Sequence, residues 1–180
     1  MTASHNRIIQ QMCREALLPL GAFQKGRSRI YIDDNHAFFT VIEFQPSGFS
    51  TGTYLNVGIH PLWEHPMREY LTMISENGSR IRPFLPFETE EQFADGLMEY
   101  MEAAKARLLY YRQFRNPTAL HAYAERRAKN HLLSKPGPDR SIWEMYLSLP
   151  EAERSAHIQT ARSYWQERPS MHGMNRSKLV

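Results

Sequence analysis

The sequence predicts an α+β fold: an N-terminal helix, a small antiparallel sheet of three to four strands, then a long helix and a C-terminal helical half. Two changes of apolar rhythm and one bulk property carry this expectation. Apolar residues alternate between Ser28 and His60, and from Thr89 onward they recur at helical spacing. A chain of 180 residues with 42% hydrophobic content can also bury a full core without disulfides or metal.

The elements follow in order. Ile8, Ile9, Met12, Ala16 and Leu17 share one face of a helix over about Ser4 to Leu18, which Pro19 and Gly21 stop. In Ser28–Asp33, Ile30 and Ile32 oppose Arg29, Tyr31 and Asp33, as in a strand with one buried face; Asp33, Asp34 and Asn35 then supply turn chemistry for a hairpin. The returning strand, Ala37–Gln45, is apolar on both faces through Phe38, Phe39, Val41, Ile42 and Phe44, and polar at Glu43 and Gln45. That pattern predicts a central strand whose far end reaches solvent. A third strand, Thr53–His60, turns Leu55, Val57 and Ile59 inward and Tyr54, Asn56, Gly58 and His60 to the other face; Arg80–Phe84 offers a short fourth.

Thr89 and Gln92 form a capping box for the long helix, whose stripe is Phe93, Leu97, Met101, Ala104, Leu108 and Tyr111. Its acids lie in the first half and its bases in the second, as the helix dipole favours. Pro117 starts a further helix to about Leu133, and two more follow over about Asp139–Leu149 and Pro150–Gln166. The expected organisation is an α+β core domain over 1–133, a short linker at 134–138, a C-terminal helical hairpin packed on the core at 139–167, and a flexible tail at 168–180.

The composition limits function. The single cysteine, Cys13, falls among apolar helical positions, so neither a disulfide framework nor a cysteine zinc site is expected. No signal-like or membrane-spanning apolar run is present, which points to a cytoplasmic protein. No nucleophile elbow or phosphate-cradling loop occurs, and Lys25-Gly26 has the wrong order for a Walker loop. In His60-Pro61-Leu62-Trp63-Glu64-His65-Pro66 the histidines are five apart and flanked by prolines, so the helical zinc-protease geometry is not met. Neither metal nor cofactor is expected.

Certain motifs together resemble an uncharacterised family of bacterial domains of unknown function. They are Leu18-Pro19-Leu20-Gly21-Ala22-Phe23, Lys25-Gly26 before the strand at Tyr31, Val41-Ile42-Glu43-Phe44-Gln45 with Ser47, and Leu55-Asn56-Val57-Gly58-Ile59. Arg80 and Arg82 match an arginine pair that the family places after its sheet. The resemblance covers roughly residues 8–125 and departs from the pattern at Ala22 and Pro46. It implies a helix, antiparallel sheet and helices, and carries no assigned activity.

Two surfaces are candidates for function. Glu43, Gln45, Asn56, His60, Arg80 and Arg82 would share the less apolar sheet face, where the arginines could hold an anion and Glu43 or His60 could move a proton; the alternative is an ordinary solvated sheet face. The stretch 105–135 holds eight basic side chains against Glu125 alone. Its candidate face is Lys105, Arg112, Arg115, Arg126, Arg127 and Lys129, interleaved with Tyr110, Tyr111, Phe114 and Tyr123. Such a face suits an acidic protein partner, a nucleic acid, or simply water. The absence of catalytic motifs favours a noncatalytic interaction protein, an immunity or regulatory factor with a protein partner. A nucleic-acid-binding module and an enzyme acting on an anion at the sheet face are the alternatives.

Overall fold

Five consecutive strands form an antiparallel meander in the order β1-β2-β3-β4-β5, where β1 is Phe23–Gln24, β2 Ile30–Asp34, β3 Phe38–Gln45, β4 Gly52–Pro61 and β5 Arg80–Pro86. This computed structural model describes residues 4–75, 78–129, 138–168 and 171. Helix α1 (Ser4–Ala16) precedes the sheet; α2 (Glu90–Arg112), α3 (Pro117–Lys129), α4 (Pro138–Ser148) and α5 (Glu151–Gln166) follow it. The α+β class is therefore as the sequence predicts. The extra strand is β1, whose two residues are too few to show an alternating pattern.

Alternation sends β3 and β4 side chains to two different cores. Phe38, Ile42 and Phe44 of β3, with Leu55, Val57 and Ile59 of β4, pack on the helix side against Ile9 and Cys13 of α1 and Phe93, Leu97, Met101 and Leu108 of α2. Phe39 and Val41 face the other way, into a smaller cluster with Phe23, Ile32, Leu62, Ala161 and Trp165. All six residues of the predicted α2 stripe are buried. The expectation of one buried face for β2 is corrected: Tyr31 is 1% exposed on the helix side and Ile32 0% on the other, because α5 covers the face that would otherwise meet water.

Local chemistry fixes the helix ends. Thr89 Oγ1 accepts from Gln92 N at 3.1 Å, as expected of the cap, but the Gln92 side chain reaches Glu88 N rather than Thr89 N, at 3.4 Å. Asn116 Oδ1 accepts from Thr118 and Ala119 N, capping α3. The last four residues expected in α3, the linker residues 134–137 and nearly all of the tail lie outside the described residues. Around them, α4 and α5 bury against opposite faces: Ile142, Trp143 and Tyr146 join the helix-side core, with Trp63 Nε1 donating to Ile142 O at 3.1 Å, while Ala161 and Trp165 lie on the outer sheet face.

Candidate functional site

Helix α5 covers the part of the outer face that carries Ile32, Phe39, Val41 and His60. Beyond it the strand register lays Ile30, Glu43, Asn56 and Arg80 side by side across β2, β3, β4 and β5, with the Gln45–Tyr54 pair next to them. These side chains hold one another. Asn56 Nδ2 donates to Gln45 Oε1 at 2.7 Å and to Glu43 Oε2 at 3.1 Å, and Arg80 donates to Gln45 Oε1 at 2.9 Å. The Arg80 guanidinium lies 3.9 Å above the Tyr54 ring, which packs on Phe84 at 5.1 Å between centroids. Asn56 is buried, Arg80 is exposed, and Glu43, Gln45 and Tyr54 lie between those extremes. The row is thus a preorganised surface of mixed charge.

Four of the six predicted sheet-face residues come together here, and two do not. His60 lies four residues along β4 from Asn56, roughly 13 Å away in an extended strand. It is 1% exposed, stacked on Phe39 and edge-on to Trp165 of α5. Thr72 N donates to its Nδ1 at 3.2 Å, which makes that nitrogen an acceptor. Burial, followed by the charge of Arg68, pushes its pKa down to about 4, so the ring is neutral and part of the core. Arg82 is separated from Arg80 by an irregularity in the β4–β5 register: Arg80 stands opposite Asn56, but Arg82 stands opposite Leu55 and brings its charge near Tyr100 of α2. Glu43, His60, Arg80 and Arg82 therefore share no cleft, and the acid–base reading of the face loses its geometry.

The basic stretch is engaged largely within the fold. Asp33, 1% exposed at the end of β2, accepts from Arg112 Nε at 3.0 Å and from an Arg112 terminal nitrogen at 2.6 Å. Arg115 reaches both Asp33 oxygens at 3.3 Å and donates to Asn35 Oδ1 at 3.0 Å. Arg112 also donates to Leu20 O. From the opposite side, Arg162 of α5 pairs with Asp34 at 2.7 Å and donates to His36 O. The β2–β3 turn is thereby tied to α2 and α5 through charge-assisted bonds. Lys105 pairs with Glu102 and Lys129 with Glu125, while Arg126 lies over the Tyr123 ring. Arg127 lies on α3 with its Nε enclosed. Tyr111, Phe114 and Tyr123 are buried, leaving few faces on which bases could stack.

Sequence reasoning missed this lock. The adjacent acids Asp33 and Asp34 were its only signal, and their suitability for a turn masked it. It also left one cavity unread, a space of about 520 Å³ between α1 and the β1–β2 turn. Among the described residues, no cluster of His, Cys, Asp and Glu is arranged to hold a metal, and no helix is long and apolar enough to cross a membrane. Cys13 is enclosed beside Met101, and burial pushes its thiol up to about 12.

The fold and the row define the class as an α+β protein with a divided outer sheet face, half sealed by a helix and half open. Comparison of the chain with protein-family models, curated proteins and solved structures finds no match.

Proposed function

We propose that this is a noncatalytic interaction protein that recognises a protein partner through the open half of its outer sheet face, acting by occupancy as an immunity or regulatory factor does. The supporting observation is the row Ile30, Glu43, Asn56 and Arg80 across four adjacent strands, flanked by Gln45 and Tyr54. A polyanion would favour a surface of one sign, but this one sets an arginine and a carboxylate among amides and an aromatic ring, a mixture suited to protein recognition. Tyrosine and arginine are also the side chains that most often anchor interfaces. Because Arg80 is already seated on Tyr54 and on Gln45, binding orders few rotamers and loses little entropy.

Photo-crosslinking in cells tests the reading. A photoreactive side chain at Tyr54 should give one discrete protein adduct, and the same group at Glu91, on the exposed side of α2, should not. Arg80→Glu should abolish the adduct while leaving thermal stability nearly unchanged. Identical adduct patterns from positions 54 and 91 would overturn the assignment.

A further inference from the structure

On the helix side of the sheet, away from the four-strand row, the cavity beside α1 has a lining of one electrostatic sign. Asn6 and Gln10 of α1 form one wall; Gln24, Arg27, Ser28 and Arg29 form the other. Among the described residues, no carboxylate lines it. Arg29 is partly buried, and its contacts are neutral: a terminal nitrogen lies 2.6 Å from His5 Nε2, and the other donates to Gly52 O at 3.4 Å. Burial, with Arg29 next to it, holds the His5 pKa below its ordinary value, so His5 serves as a neutral acceptor and not as a second cation. Arg112 and Arg162, by contrast, meet Asp33 and Asp34. A guanidinium withdrawn from water without a countercharge is costly, and an anion beside it would offset that cost.

We propose that this cavity is a binding site for a small phosphate monoester, with Arg29 and Arg27 holding the phosphoryl group and the carboxamides of Gln10 and Gln24 facing the ligand. The Arg27 guanidinium fork, with the N–H groups of Arg29 that its contacts to His5 and Gly52 leave over, matches the charge and the three terminal oxygens of a phosphoryl group better than a single carboxylate. The volume lies within the range of small-molecule sites and leaves room for the ester's organic group. Gln24 leaves its side-chain oxygen for a ligand hydroxyl, since its Nε2 is already committed to Ser28 O at 2.6 Å. Arg27 is exposed and brings its charge to the cavity from the turn.

The test is a titration of the full chain followed by NMR of the side-chain amides, with adenosine 5′-monophosphate, inorganic phosphate, adenosine, and sodium chloride at matched ionic strength. The monophosphate should shift the Gln10 and Gln24 amide signals saturably, inorganic phosphate should do so more weakly, and adenosine and chloride should not. Arg29→Gln should weaken binding about tenfold or more. Because Arg29 also ties α1 to the loop at Gly52, two milder variants accompany it: Arg27→Gln and Gln24→Glu should each raise the dissociation constant several-fold in a folded protein. No saturable shift with either phosphate up to about 10 mM, or equal affinity in both milder variants, would overturn the proposal. Its failure would leave the protein-binding row untouched, since the two sites share no residue.

Discussion

Replacing Asp33 by Asn tests whether the arginine lock holds the two halves of the fold together. The substitution keeps the shape but removes the charge toward which Arg112 and Arg115 converge, and it places an amide donor among donors. Breaking a buried pair by removing one partner costs about 3–5 kcal/mol. The lower end applies here, because the side chains of Arg112 and Arg115 keep 21% and 38% exposure and can recover some hydration. About 3 kcal/mol corresponds to a fall in Tm of roughly 6–12 °C for a chain of this size. Urea unfolding followed by tryptophan fluorescence should show a lower midpoint and an unchanged m value. Arg126→Ala, at a cation resting on a tyrosine ring, serves as control and should stay within about 0.5 kcal/mol of the parent. A loss under about 1 kcal/mol for Asp33→Asn would place the pairs with ordinary surface salt bridges and refute the lock.

The remaining predictions use other parts of the core. His60 has a folded pKa of about 4 against an ordinary value of 6.5, so its contribution is complete above pH 6.5 and is lost as pH falls from there toward 4; integrated over that window the loss is about 3 kcal/mol. His60→Gln should flatten this limb of the stability–pH curve, and an unchanged limb would exclude His60 as its source. Cys13 should resist a thiol reagent in the native state and react at the rate of unfolding, so rapid stoichiometric labelling would contradict its enclosure. Gly58→Ala places a methyl group 2.9 Å from Ile74 O and 3.0 Å from Met73 Cβ, and should cost about 1–3 kcal/mol in a urea melt. Thr89→Ala removes the α2 cap and should cost about 1 kcal/mol; no change would mean that the cap bond is replaced by water without loss.

Periodicity made the sheet and α2 legible because the period of a buried face is a local property. Phe38, Ile42 and Phe44 belong to one core and Phe39 and Val41 to another simply because successive strand residues alternate. The same rule placed Glu43, Gln45 and Asn56 correctly, and it failed for Arg82 because an irregularity in the register with β4 breaks the count of two. Charge partners follow no such period. Arg112 and Asp33 are separated by 79 residues, and Arg162 and Asp34 by 128, so a run of bases between 105 and 135 reads as an outward field until the fold supplies its acids. Burial of His60 was hidden for a related reason: the residues that share its face of β4 are Tyr54, Asn56 and Gly58, which mark no apolar stripe, and the Trp165 ring that covers it arrives from α5. A charge run is thus evidence for a binding surface only after the charges that folding neutralises are subtracted. By that test the C-terminal basic face contracts, whereas Arg27 and Arg29 retain their charge at a cavity to which the described residues bring no acid.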